Sequence, residues 1–123
     1  MKTDSQARII SAEATDLQYK GGKRDYYRKD TPGKETGDHS GHLIGDIFGG
    51  SGNYDNLISM KGRVNLSDFK KLENKWKRAL DAKERVYVKI TLDYIGNEIR
   101  PDSFLITYSI GEKALIKKVI FNK

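Results

Sequence analysis

The chain has 123 residues and a mass of 14.0 kDa, so we expect one domain over residues 1–123, without a second independent core. Hydrophobic residues make up 37% and charged residues 33%, which is typical of a small soluble protein with a modest core. No stretch approaches the roughly 18 consecutive apolar residues of a membrane-spanning helix. The absence of cysteine excludes disulfides, thiolate zinc clusters and a thiol nucleophile.

The net charge of +6 is concentrated in one part of the sequence. Between Lys61 and Lys89 there are ten Lys or Arg residues and four Asp or Glu residues, whereas the rest of the chain is balanced. Such a segment is typical of a protein that binds a polyanion, such as nucleic acid or an anionic membrane face. A lysine-rich helix exposed to solvent would give the same pattern, and charge alone leaves both interpretations open.

The first half of the chain predicts two strands and two loops. Residues 7–14 alternate apolar and polar side chains as a strand does. Residues 18–37 are rich in Gly, Lys, Tyr and Asp, which predicts a surface loop or a loose hairpin. Residues 41–48 predict a short strand that ends in a loop at residues 49–53, because these five positions are small, flexible or turn-forming.

The second half begins with a helix from about residue 65 to residue 81. Apolar side chains recur there at every third or fourth position and form one stripe: Phe69, Leu72, Trp76, Ala79 and Leu80. Ser67 is a candidate N-cap, with Asp68 in the first turn, and a cap a few residues earlier is the alternative. The side chains of Lys70, Glu73 and Lys77 share a different, polar face.

Three strands are predicted after the helix, at residues 86–94, 103–110 and 114–121. Turns at Gly96-Asn97 and Gly111-Glu112 join them. The order is therefore strand, loop, strand, helix and three further strands. This order predicts an α+β fold with a small antiparallel sheet and one main helix.

Both histidines of the chain lie in the pentapeptide DHSGH at residues 38–42. Two histidines three positions apart beside a carboxylate fit a metal pair, but chance gives the same pattern. A tetrahedral zinc site usually draws on more His or Cys ligands than this chain has. A serine nucleophile is not indicated, because neither Ser40 nor Ser51 lies in a G-x-S-x-G turn.

Three motifs occur in order along the chain: the run GDHSGHLIGDIFGG, the segment NLISM, and Asn65 followed eight residues later by Glu73 in VNLSDFKKLENKW. Together they resemble DNA/RNA non-specific endonucleases of the His-Me finger (ββα-metal) class, and in particular the C-terminal nuclease modules of LXG-type polymorphic bacterial toxins. The resemblance runs from about residue 7 to the C-terminus and includes Arg100-Pro101 before a strand. It implies a ββα-metal core within the α+β fold.

The resemblance also implies catalytic roles. His42 would be the general base, Asn65 the protein ligand of a single divalent metal, and Asp38 a residue of the metal's outer coordination sphere. Glu73 would be a carboxylate that holds metal-bound water or the helix face beneath it. Many relatives have Asp-Arg-Gly-His, whereas this chain has one residue more and no Arg, and we interpret His39 as a loop residue.

The chemistry of phosphodiester hydrolysis agrees with these roles. A base must deprotonate water, and a neutral imidazole with an ordinary pKa of about 6.5 suits that step near neutral pH. A hard cation, Mg²⁺ or another divalent ion such as Mn²⁺, neutralises phosphate charge and accepts an amide oxygen as ligand. Asn65 could instead cap the helix, and Glu73 could pair with a neighbouring lysine. Candidate contacts to the phosphate backbone are Arg63, Lys70, Lys77, Arg78 and Arg100.

We therefore expect a metal-dependent, non-specific endonuclease that hydrolyses DNA, with RNA as a further candidate substrate. The alternatives are a non-catalytic, basic nucleic-acid-binding module and a metal-dependent phosphatase. The resemblance implies an acidic immunity protein as partner and no membrane partner. Residues 1–6 lack the apolar core of a signal peptide, so we expect secretion as part of a larger toxin that acts in the target-cell cytoplasm.

Overall fold

The computed structural model describes residues 2–6, 8–18, 31, 33–44, 48 and 57–123. The strands are β1 (Lys2–Thr3), β2 (Ile9–Ala14), β3 (Asp38–His42), β4 (Leu57–Lys61), β5 (Val86–Asp93), β6 (Ser103–Ile110) and β7 (Ile116–Phe121). A π-helical segment (Val64–Phe69) leads directly into the helix α1 (Lys70–Asp81). Within these ranges, neither helical segment has the length and apolarity needed to cross a membrane.

The strands form two antiparallel sheets. Five of them make one sheet in the order β1-β2-β5-β6-β7, and β3 pairs with β4 in a separate hairpin-like sheet. The register between β5 and β6 is regular, from Val86 opposite Ile110 to Asp93 opposite Ser103. The predicted α+β fold with a small antiparallel sheet and one main helix is therefore confirmed.

The core lies between one face of the five-stranded sheet and the helix. Along β5 every second side chain is buried, as expected for a strand with one face against a core. The helix contributes the predicted apolar stripe, and aromatic rings connect the two layers. Phe69 packs edge-on against Phe104 with ring centroids 5.3 Å apart, and Trp76 packs against Tyr108 at 5.8 Å. Such aromatic pairs add stability beyond the area they bury.

Most predicted elements after residue 64 are confirmed. The helix ends at Asp81, and β5, β6 and β7 lie where alternation placed them. Gly96 and Gly111 have φ angles of 53° and 62°, which explains why glycine occupies these turns. Ser67 is not the N-cap, because it lies inside the π-helical segment. The N-cap residue is Arg63, four positions earlier, and its side chain makes no capping hydrogen bond.

The first half of the chain departs from the prediction. The strand expected at residues 41–48 instead occupies Asp38–His42, and its partner β4 was not predicted. His39 is consequently a strand residue, so its interpretation as a loop residue is wrong. The strand predicted at residues 7–14 is confirmed as β2. The loop predicted at residues 49–53 and most of the loop at residues 18–37 lie outside the described residues.

The buried Asn122 joins the two sheets after the last strand. Its Oδ1 accepts a hydrogen bond of 2.8 Å from the backbone N–H of Lys61 in β4. Its Nδ2 donates to the carbonyl oxygens of Ser59 and Pro101 at 3.0 and 2.9 Å. Because every polar atom of the amide is paired, this residue fixes β4 against the end of the larger sheet.

Candidate active site

The side chain of Asn65 is held between the helix and β3. Its Nδ2 lies 3.1 Å from Nδ1 of His39, across 26 residues of sequence. Asn65 lies within the π-helical segment, after the N-cap residue Arg63. The interpretation of Asn65 as a helix cap is therefore excluded, and its amide faces the two-stranded sheet.

The amide oxygen of Asn65 lies over Gly41. A Cβ atom at this glycine would be 2.8 Å from Oδ1 of Asn65, and it would also collide with the sulfur of Met60. Glycine is thus required here for close approach of the strand to the helix. The amide consequently has a defined orientation, with nitrogen toward His39 and oxygen toward Gly41.

His42 is the last residue of β3 and immediately follows Gly41. It is half-buried and pairs in register with Leu57 of β4. The Asn65 amide approaches β3 at Gly41, the residue before His42. The histidine that the amide contacts directly is His39. The contact between His39 and Asn65 was missed by sequence reasoning. The one feature of the sequence that could have indicated this contact is that His39 and Gly41, two positions apart, share one face of a strand.

The π-helical segment changes which helix face Asn65 and Glu73 occupy. Eight residues on a regular α-helix would separate the two side chains by about 80° around the axis. A π turn takes more residues per turn, so it reduces that offset. Glu73 lies in the first turn of α1 and is half-buried, which places its carboxylate beyond Asn65 on nearly the same side of the helix.

Asp38 and Arg100 form a buried ion pair. Nε of Arg100 donates to one carboxylate oxygen at 2.7 Å and Nη2 to the other at 2.9 Å, and the Asp38 side chain has no exposed surface. Asp38 also accepts from the backbone N–H of Glu35. Burial by itself raises the pKa of Asp38, but the hydrogen bonds from Arg100 and Glu35 outweigh it and lower the pKa below its usual value.

These contacts give Asp38 and Arg100 a structural role. Strand alternation places Asp38 on the opposite face of β3 from His39, away from Asn65. Nη1 of Arg100 donates to the carbonyl oxygen of Asn122 at 2.8 Å. Both side chains therefore have structural partners, and the roles expected for Asp38 in the metal's outer coordination sphere and for Arg100 in phosphate binding stay predictions.

The other predicted cations lie on the solvent-exposed side of the helical region. All four are exposed: Arg63, Lys70, Lys77 and Arg78. Arg63 donates from Nη2 to the backbone oxygen of Lys123 at 2.9 Å, yet it stays at the surface. Positions seven apart lie close to one line along an α-helix, so Lys70 and Lys77 form a short basic row beside Glu73.

The donor set fits a hard cation bound mainly through solvent and substrate. The Asn65 amide presents an oxygen, which Mg²⁺ and Ca²⁺ accept as a ligand. The described part of the chain contains no group of three or more His, Cys, Asp or Glu side chains placed to hold a metal. These residues therefore do not form a metal site made wholly of His, Cys, Asp and Glu ligands. They are compatible with a site in which one amide oxygen is the protein ligand.

Comparison with known proteins finds a consistent set of relatives. A family model described as DNA/RNA non-specific endonuclease matches residues 1–112. The type VII secretion system protein EssD of Staphylococcus aureus, in strains USA300 and NCTC 8325 / PS 47, is 32% identical over 128 residues. The match covers 97% of this chain and 21% of EssD, so the chain spans about a fifth of the length of these curated relatives.

Solved structures share the fold. The NucA structure from Streptococcus agalactiae with no metal bound superposes with a TM-score of 0.83 at 17% identity, over 99% of this chain and 69% of NucA. The structure of the same protein with a magnesium ion bound gives a TM-score of 0.80 at 16% identity, over 99% and 68%. At these identities the likeness concerns the fold, and it agrees with the predicted α+β architecture.

Proposed function

Since this chain belongs to the DNA/RNA non-specific endonuclease family, we propose that it is a metal-dependent endonuclease that hydrolyses phosphodiester bonds in DNA, with RNA as a further candidate substrate. The observation that carries the proposal is the orientation of the Asn65 amide. Its oxygen lies over Gly41, and its nitrogen donates a hydrogen bond to His39. The amide oxygen would hold the cation, and His42, the residue after Gly41, would supply the base.

In the proposed reaction His42 acts as the general base. Its imidazole takes a proton from a water molecule, whose oxygen forms a bond to phosphorus while the bond from phosphorus to the leaving sugar oxygen breaks. The leaving oxygen takes up a proton from solvent. A divalent cation, Mg²⁺ or Mn²⁺, supplies neutralisation of charge on the phosphate oxygens when bound. Asn65 would hold it through Oδ1, and Glu73 would accept hydrogen bonds from water beside the amide.

Digestion of supercoiled plasmid with and without EDTA tests this proposal. We expect nicked and linear DNA in the presence of Mg²⁺ and intact plasmid with EDTA, because the Asn65 amide alone offers no charge to the phosphate. Cleavage that is unaffected by EDTA would exclude the metal role of Asn65. DNA binding without cleavage would identify a non-catalytic binding module, and hydrolysis of p-nitrophenyl phosphate without cleavage would identify a phosphatase.

We further propose that the chain is the nuclease module of a larger secreted toxin that acts in the target-cell cytoplasm. Its similarity to part of a type VII secretion system protein supports this. An unselective nuclease would also endanger the cell that makes it, so we propose an acidic immunity protein as partner. Opposite charge speeds association and fixes orientation, which favours docking on the exposed cations Arg63, Lys70, Lys77 and Arg78.

Removing two of these charges should weaken both interactions. In the variant carrying Lys70→Gln and Lys77→Gln, we expect weaker DNA binding at every sequence and a salt dependence flattened by about one counterion per lost phosphate contact. Affinity for the immunity protein at low salt should fall as well. Fluorescence anisotropy measures both, and Lys113→Gln, in the turn between β6 and β7, is the matched control. Unchanged inhibitor affinity would indicate docking elsewhere, such as on the strands.

A further inference from the structure

We propose that His39 is a positioning residue that fixes the amide of Asn65 with its oxygen directed toward the divalent cation. This inference rests on the proposed function and extends it to a side chain that had been interpreted as a loop residue. Its basis is the 3.1 Å contact between Nδ2 of Asn65 and Nδ1 of His39. An amide nitrogen donates, so Nδ1 of His39 is the acceptor in this contact.

The imidazole of His39 is held in place by the start of the helical region. The ring is half-buried on β3, and a Cβ atom at Gly62 would lie only 3.0 Å from its Nε2. Gly62 precedes Asn65 by three residues, so the ring packs against the same helical turn that carries the amide. His39 and Gly41 share one strand face, and they contact the two ends of the Asn65 amide respectively.

The orientation of an asparagine amide needs such a partner. Rotation about the terminal bond of the side chain exchanges oxygen and nitrogen at little cost, because the torsion is broad and roughly two-fold. Only the oxygen binds a cation. An acceptor at Nδ1 of His39 pairs with the NH₂ end. The exchanged orientation would place two acceptors face to face unless the ring moved its proton from Nε2 to Nδ1. His39 thus keeps Oδ1 over Gly41.

Three variants at this position separate positioning from packing. His39→Asn keeps an acceptor oxygen near the place of Nδ1, whereas His39→Leu has similar bulk and no acceptor. His39→Ala removes the acceptor without adding bulk beside Gly62. Loss of a residue that orients a metal ligand commonly costs about 10- to 100-fold in metal affinity. We expect that loss for the Leu and Ala variants, and affinity within about threefold of the unsubstituted protein for Asn.

The direct readout is Mn²⁺ binding, followed by the loss of the free-ion signal in electron paramagnetic resonance, with Asn65→Ala as the reference for lost binding. The Mg²⁺ concentration needed for half-maximal plasmid cleavage is the second readout, and thermal unfolding verifies that each variant is folded. If Leu and Ala bind Mn²⁺ as well as the unsubstituted protein, or if Asn binds as weakly as Ala, the positioning role is wrong. If the unsubstituted protein binds no Mn²⁺ and cleaves in EDTA, the proposed function itself fails.

Discussion

Replacing His42 with alanine is expected to reduce the rate of plasmid cleavage by about 10²- to 10⁴-fold, the usual contribution of a general base. The substitution removes the group that takes the proton from water and leaves the cations of the helical region in place. His42 is the half-buried last residue of β3, so truncation should cost little core packing. DNA affinity and the free energy of unfolding should therefore stay near the unsubstituted values.

The control for His42→Ala is His39→Asn, which changes the other histidine of the same strand while keeping an acceptor for Asn65. Cleavage is measured from the loss of supercoiled plasmid, and DNA binding is measured by anisotropy in EDTA. Activity of His42→Ala within about tenfold of the unsubstituted protein would contradict its role as the base. Urea denaturation measures the stability of the variant and shows whether a loss of cleavage is caused by unfolding.

Removing one partner of the Asp38–Arg100 ion pair should produce the largest change in stability. Breaking a buried pair leaves an uncompensated charge and typically costs about 3–5 kcal/mol, a large part of the roughly 5–15 kcal/mol that stabilises a domain. Here the two side chains are 0% and 14% exposed, and Arg100 also holds the carbonyl oxygen of Asn122. We expect Arg100→Leu to lower the free energy of unfolding by that amount, measured in urea at pH 7.

A double-mutant cycle and a pH series check the cause. Asp38→Asn combined with Arg100→Leu should lower the free energy of unfolding by less than the sum of the two single substitutions. In the double variant neither substitution leaves an unpaired buried charge. The pKa of Asp38 is lowered in the folded protein, so the pair stabilises above the unfolded value of about 3.9. That contribution should disappear as the pH falls through the lowered pKa. Equal effects of Arg100→Leu at every pH would contradict this account.

The elements after residue 64 were predictable because their signals are local. The apolar stripe of α1, the alternation in β5 and the turn glycines Gly96 and Gly111 are each contained in a short stretch of sequence. The core they form depends mainly on hydrophobic burial. The buried residues can therefore be predicted even where the end of an element is misplaced by a residue or two. The ends of these three strands differ by two residues at most from the predicted ones.

The candidate site was only partly predictable, since β3 has almost no apolar pattern. One of its faces carries Asp38, which pairs with Arg100 across 62 residues of sequence, and the other carries His39, which contacts Asn65 across 26. Contacts at such separations leave no periodic signal. The motif resemblance identified the relevant residue types, but only the register of β3 showed which histidine touches the amide.

The wider turn at Val64–Phe69 affects how the sequence of this helix should be aligned with the helices of relatives. A π turn needs more residues than the α turn it replaces, so it acts as an insertion of about one residue. On an uninterrupted α-helix, two side chains about seven positions apart would share a face, because seven residues are close to two full turns. A relative with such a helix would carry the counterparts of Asn65 and Glu73 one position closer together. An alignment that enforces equal spacing would misplace one of them, and the gap belongs near Leu66, which is 68% exposed.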